Sequence, residues 1–461
     1  MAEATAPAET DDVMRRVWRK VGIRIIPLIG LAYVMSYIDR ANLGYVAQPL
    51  KKSLGMTTGQ VGLASALFFL GYILVEIPSN MMLSRFGARK WITRILVSWG
   101  LVTMGTALVR NVGQFYAMRI LLGFAEAGLA AGILLYMTFW FPRRQRAWAM
   151  STFFLMIPLS GIIGSPLAAG MLSWGEQLTG FTGWRSLFLV EGLVTIVSGL
   201  VIYRFLPDRP ADATWLTPEE KDAIQRRLTL ETAQHNAHGA LTDVRQALLS
   251  ARVWMLAVVF FAIVFGLYPI AFFLPTMIST FTGHDSATSN VTSVLLAAIP
   301  SAVAIIVMLV WAKSAARRTV VFSTAVPLAF AVVGLLLATF VHDGVLFVAA
   351  FCVSVSGIYT AMAQFWRLPP LCLTGAAAAS GIALINSVSN VSGFIGPYLT
   401  GAIEDATGDF TYALLLIALI MTIGLVILLT AGRKTERTTA RDPLPRTDPT
   451  EKVTRTDAPL P

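Results

Sequence analysis

Four charged residues fall inside stretches that otherwise read as membrane-spanning: Asp39 and Arg40 in the first, Arg119 and Glu126 in the fourth. A charge at the centre of a bilayer costs about 2.5–3.5 kcal/mol on insertion scales, so such groups persist where they pair, face water or handle ions. Arg119 and Glu126 are seven residues apart, two helical turns that put both on one face roughly 10 Å apart. Neighbours Asp39 and Arg40 point about 100° apart, so one can meet a partner helix while the other faces a cavity. The chemistry this set suits is anion holding by Arg40 and Arg119 and proton loading by Asp39 and Glu126. The alternative is interhelical salt bridges, Asp39 with Arg119 or Arg40 with Glu126. Burying four charges for packing alone is a poor route to stability, and a switchable bridge reconciles both readings.

Further polar groups lie in apolar runs. Tyr72 and Glu76 share a face of the second span; Tyr72 is deep enough to meet a ligand, whereas Glu76 is placed to pair with loop cations. Glu191 in the sixth span reads as structural. Asn386 and Asn390, one turn apart in the eleventh, could bind hydroxyls opposite Arg40, and Gln364 with Trp366 closes the tenth. Tyr268-Pro269 marks a bend in the seventh, where neighbours must satisfy freed backbone groups.

These residues need a scaffold, and the composition supplies one. The chain is 461 residues, 56% hydrophobic and 13% charged, against about 25% charged in typical soluble domains. Twelve runs of about 20 apolar residues, each long enough to cross roughly 30 Å of hydrocarbon, fall near 22–46, 60–83, 91–110, 114–139, 147–173, 186–206, 253–281, 287–312, 319–341, 344–366, 375–402 and 411–431. The expected fold is an all-α membrane protein of two pseudo-symmetric six-helix bundles, 22–206 and 253–432. A tail (1–21), a linker (207–252) and a second tail (433–461) complete it, with residues 1–12 and 435–461 reading as disordered. No cleavable signal peptide is expected. Within the linker, Thr217, Pro218 and Glu220 read as N-cap, first helical residue and capping-box acid.

The net charge of +10 sits in short connections rather than a nucleic-acid-binding face. Arg15, Arg16, Arg19, Lys20, Arg85, Arg89, Lys90, Arg143, Arg144, Arg146, Lys313, Arg317, Arg318, Arg433 and Lys434 all fall on one expected side, with Lys51 and Lys52 the exception, so both termini should be cytoplasmic. Cys352 and Cys372 give no disulfide framework or metal spacing, and no cofactor is implied. Ser160-Gly161-Ile162-Ile163-Gly164-Ser165-Pro166 in span five is echoed by Ser392-Gly393-Phe394-Ile395-Gly396-Pro397 in span eleven. Such a repeat marks two equivalent halves around a midplane site, its glycines chiefly serving close packing.

Tyr37-Ile38-Asp39-Arg40-Ala41-Asn42, Glu76-Ile77-Pro78-Ser79-Asn80, Arg119-Ile120-Leu121-Leu122-Gly123-Phe124-Ala125-Glu126-Ala127-Gly128, Trp140-Phe141-Pro142-Arg143-Arg144, Gly183-Trp184-Arg185 and Gly381-Ile382-Ala383-Leu384-Ile385-Asn386-Ser387 together resemble the major facilitator superfamily. Within it they resemble the anion:cation symporters, above all bacterial carboxylate permeases of the tartrate and phthalate type. The resemblance runs from about Arg15 to the end of the twelfth span. It implies proton coupling at Asp39 and Glu126, anion recognition and gating at Arg40 and Arg119, and substrate contacts from Tyr72 and Asn386 or Asn390. The loop after span two resembles the superfamily's Gly-x-Leu-Ala-Asp-Arg-x-Gly-Arg-Lys element through Arg85, Gly87, Arg89 and Lys90. Ser84 stands at its acidic position, which leaves Glu76 as the candidate to replace the missing loop-to-helix latch.

The expectation is a proton-coupled importer of a small organic anion in a bacterial inner membrane, working by alternating access as a monomer. Tartrate-like hydroxyacids and aromatic acids both fit two arginines with Tyr72, Tyr268 and Trp366 nearby. An efflux antiporter, which Gly164-Ser165-Pro166 loosely suggests, and a non-transporting sensor are the alternatives. No nucleophile, metal or nucleotide constellation points to an enzyme.

Overall fold

The structure, a computed structural model, describes residues 6–236, 249–282, 287–315, 317–369 and 375–432. The first half contains α1 (Ala6–Leu54), α2 (Thr58–Phe86), α3 (Ala88–Thr106), α4 (Val112–Glu126), α5 (Leu129–Trp140), α6 (Arg143–Phe154), α7 (Met156–Thr179) and α8 (Gly183–Phe205). After the linker helix α9 (Pro218–Asn236) come α10 (Ala251–Thr282), α11 (Ala287–Leu296), α12 (Ala298–Ala315), α13 (Val320–Phe340), α14 (Gly344–Phe365), α15 (Gly375–Thr407) and α16 (Thr411–Ile427). Spans four, five and eight are each two helices, α4–α5, α6–α7 and α11–α12. Among the described residues, ten stretches are long and apolar enough to cross a membrane; the other two expected spans are α3 and α15.

Local chemistry starts these helices where the sequence places polar caps. Thr57 and Gln60 form a capping box on α2, Asn111 accepts from the Gln114 N–H at 2.9 Å on α4, and Asp343 caps α14. Each satisfies N–H groups that the first helical turn leaves without partners. The linker box is as expected: Thr217 N–H donates to Glu220 Oε2 at 2.9 Å, and Glu220 N–H to Thr217 Oγ1 at 3.3 Å. Lys20 on α1 also reaches Glu220, at 2.7 Å. Burial pushes the Glu220 carboxyl up, but the hydrogen bonds from Lys20 and Thr217 outweigh it and hold it below its ordinary value.

One expectation changes. Residues 6–12, read as disordered, are the start of α1, because helix propagation adds a hydrogen bond per residue once nucleated. Tyr268-Pro269, read as a bend, lies inside α10, which runs on through both Pro269 and Pro275. The disorder expected for 435–461 lies outside the described residues, as does 237–248 of the linker.

The repeat glycines do matching jobs in the two halves. A Cβ on Gly161 would lie 2.5 Å from Ser301 Oγ, and one on Gly393 2.5 Å from the Phe69 ring, so each abuts the opposite half. Gly164 packs on Ile38 of α1, and Gly396 on Pro269 of α10, the first span of each half. Close packing is therefore their role. The halves meet at the end away from the termini. There Gly62 lies under the Pro397 carbonyl and Gly401 under that of Thr58. Asp405 at the end of α15 caps α2 from the other half, accepting from Thr57 Oγ1 at 2.6 Å, Thr58 N–H at 2.9 Å and Gly59 N–H at 2.8 Å.

Candidate functional site

Arg40 is the centre of the site. Its Nη2 and Nε donate to Glu126 Oε1 at 2.7 and 3.1 Å, and its Nη1 donates to the Tyr268 hydroxyl at 2.9 Å. It thus joins α1 and α4 in the first half to α10 in the second. The rings of Tyr37, Phe68, Phe69 and Tyr72 lie 5.3–5.8 Å from its guanidinium carbon, within cation–π range. Ser36 Oγ donates to the same Glu126 oxygen at 2.6 Å, while Oε2 has no partner among the described residues.

A break in the fourth span sets Glu126 there. α4 stops at Glu126, Ala127 is extended, and Gly128 has φ +87 before α5 begins. That conformation favours glycine, and a Cβ would also come 2.5 Å from Ser79 Oγ. The positive end of α5 meets the cavity wall at Ala130 and Ala131.

The cavity, about 60 Å³, lies between the halves. Arg40 and Tyr72 line it from the first half; Tyr268, Trp366, Asn386 and Asn390 line it from the second. Asn386 Nδ2 and Asn390 Nδ2 donate to Glu76 Oε1 and Oε2, both at 3.2 Å. Glu76 therefore pairs with amides of the other half and not, as expected, with loop cations. The sequence could have suggested this: Glu76 and the two asparagines share a depth in spans two and eleven.

Asp39 and Arg119 are close behind, but neither lines this cavity. Asp39 Oδ1 accepts from Thr103 Oγ1 at 2.9 Å and from Asn42 Nδ2 at 3.4 Å; the same amide donates to Glu191 Oε2 at 2.8 Å. Arg119, 1% exposed, donates Nε to the Ala64 carbonyl at 3.3 Å and lies over Phe68, with Nη1 and Nη2 unpartnered among the described residues. Of the two bridges considered from sequence, Arg40–Glu126 is the one formed.

Gln364 is turned away, accepting from Arg367 Nη1 at 2.9 Å. Arg85 is exposed and lies over Phe86. Gly87, φ +88, makes the turn between α2 and α3, and the Arg89 guanidinium lies over Tyr203. The acid that ties this loop is Asp208, whose Oδ1 accepts the Arg89 backbone N–H at 2.8 Å. Glu76 does not fill that role because it is engaged by Asn386 and Asn390. Sequence reading also missed Ser36, Tyr33 and Tyr37. Their signal was spacing: 33, 37 and 40, like 36 and 40, recur at helical intervals on one face of α1.

Residues 29–397 match the Major Facilitator Superfamily family model. The chain belongs to that superfamily. It is 36% identical over 436 residues to a "Putative tartrate transporter" of Agrobacterium vitis, covering 93% of this chain and 94% of the relative. It is 35% identical over 427 residues to a "Quinolone resistance transporter" of Acinetobacter baumannii, covering 92% and 97%. Among solved structures, a partially occluded inward-open form of the xylose transporter XylE from Escherichia coli superimposes with a TM-score of 0.68 at 12% identity, covering 88% and 98%. This superfamily member is therefore a multi-pass membrane transporter with the major facilitator fold, and not an enzyme.

Proposed function

We propose that this transporter is a proton-coupled importer of a small organic carboxylate in a bacterial inner membrane, with both termini cytoplasmic, working as a monomer by alternating access. The observation that carries the reading is Arg40, shared between the Glu126 carboxylate of one half and the Tyr268 hydroxyl of the other beside a cavity. In this arrangement the guanidinium is occupied. A proton on Glu126 weakens the ion pair, and the freed guanidinium takes the substrate carboxylate in the bidentate geometry that arginine favours. Asp39, beside Arg119, whose Nη1 and Nη2 have no partner among the described residues, supplies a second protonation site in the same bundle.

With the termini inside, the end latched by Asp405 is the outer one, so this conformation is closed outward and its cavity serves the cytoplasm. The likeness of the "Putative tartrate transporter" supports a carboxylate cargo. Glu126→Gln tests the coupling. In proteoliposomes given labelled tartrate, gluconate or 4-hydroxybenzoate, the variant should exchange whichever one the native protein carries but fail to concentrate it on a pH gradient. A variant that accumulates it as well as the native protein refutes the role of Glu126, and a native protein that carries none of these refutes the carboxylate cargo.

The aromatic cavity wall and the relative named for quinolone resistance favour efflux as the second reading. Proton movement opposite to cargo movement would establish it.

A further inference from the structure

The cavity holds one cation, not two. Arg119, expected beside Arg40, is buried behind the wall and tied to the Ala64 carbonyl, so among the described lining residues only Arg40 offers a positive charge. Asn386 and Asn390 line the cavity from the second half, and Glu76, outside the lining, lies behind them. Glu76 holds the Nδ2 of both Asn386 and Asn390, which fixes the orientation of each amide and leaves its carbonyl oxygen as the group without a protein partner among the described residues. A carboxyl that accepts from two amides and leaves their oxygens without partners makes an acceptor-rich end. It accepts hydrogen bonds from hydroxyl or N–H groups and repels a second carboxylate.

Between these walls the surface is largely aromatic. Tyr72 and Phe153 line it from the first half, Phe260, Tyr268 and Trp366 from the second. The Trp366 Nε1–H has no partner among the described residues, and among the five only the tyrosine hydroxyls and this N–H are polar.

Resting on the carboxylate-importer reading, we infer that the substrate is a monocarboxylate whose far end carries a hydroxyl or N–H donor, and that Glu76 excludes dicarboxylates, tartrate among them, so that this chain's cargo differs from the one in the name of its relative. The carboxylate docks on Arg40, the body lies along the rings, and the donor end meets Asn386 and Asn390. A second carboxylate at that end would meet the Asn386 and Asn390 oxygens with Glu76 behind them, and no second cation among the described lining residues to neutralise it. Specificity of this kind comes as much from the repulsive element as from the attractive one.

Matched pairs differing by hydroxyl against carboxylate at the far end test this: 3-hydroxybenzoate with isophthalate, and gluconate with glucarate. Binding is measured by thermal shift and calorimetry on the purified native protein and on Glu76→Gln. In the native protein the monocarboxylate should bind at least tenfold more tightly in whichever pair binds. In Glu76→Gln that ratio should fall at least fivefold, mainly through tighter dicarboxylate binding. Equal or tighter dicarboxylate binding by the native protein overturns the inference without any variant. A ratio unchanged in a folded Glu76→Gln overturns the role of Glu76. Tartrate bound in place of all four overturns the inference as well; should neither tartrate nor any of the four bind, the carboxylate reading itself fails, an outcome distinct from the others.

Discussion

The two halves share a fold and a repeat but not a chemistry. Among the described residues, the buried charged side chains are Asp39, Arg40, Glu76, Arg119, Glu126 and Glu191, all in the first half. The second half brings Tyr268, Trp366, Asn386 and Asn390 to the cavity, all uncharged. Pseudo-symmetry thus governs how helices pack, as the paired contacts of Gly161 with Gly393 and of Gly164 with Gly396 illustrate. It does not govern where charge is stored. One bundle carries the ionic groups; the other is a neutral surface that reads their state through Arg40.

The severest challenge to that division is Arg40→Lys. Lysine cannot reproduce the fork that reaches Glu126 and Tyr268 together, and breaking a buried ion pair costs about 3–5 kcal/mol. Transport should fall at least a hundredfold and thermal stability should drop; a variant near native in both would show that the charged half does not depend on this pair. Tyr268→Phe sharpens the comparison from the neutral side. Losing a hydroxyl that accepts from a charged donor costs about 1.5–3 kcal/mol, so affinity or transport should change roughly tenfold or more while Glu126 keeps its partner. An effect as large as that of Arg40→Lys would mean the second half is more than a reader.

The smallest expected effect is at the outer latch. Burial pushes the Asp405 carboxyl up, but hydrogen bonds from Thr57, Gly59 and Thr58 prevail and hold it below its ordinary value. Its contribution is therefore complete at neutral pH and is lost as pH falls through that lowered value. Asp405→Ala should remove a cap worth about 1 kcal/mol and speed amide exchange at Thr58 and Gly59 about fivefold at pH 7. Native and variant proteins should converge in strong acid; a gap that persists there would mean the effect is steric.

Sequence alone gave the twelve runs, the division into halves and the members of the central cluster, because hydropathy and isolated intramembrane charges are local signals. It placed Arg40, Tyr72, Tyr268, Trp366, Asn386 and Asn390 around one site. It did not resolve which arginine faces the cavity: Arg40 and Arg119 differ by helix rotation and depth, which depend on tertiary packing. Gln364 was misjudged for the same reason, since its neighbour Arg367 turns it aside. The partners of Glu76 lie in another span, 310 residues on at Asn386, so no periodicity reaches them and only their shared depth hints at the pairing.

The interruption at Gly128 has a consequence for biogenesis. The stretch Val112–Trp140 has mean hydropathy 1.9 over its most apolar window, enough to enter the bilayer as one continuous segment. Yet α4 and α5, at 15 and 12 residues, are each too short to cross about 30 Å of hydrocarbon. Unpaired peptide groups in lipid are costly, so the kink that seats Glu126 belongs to the assembled bundle, after Ser79 and Arg40 have come alongside, and not to the newly inserted chain. The Arg40–Glu126 pairing is thus a late product of maturation, and a nascent protein halted before the first half closes would hold both residues without joining them.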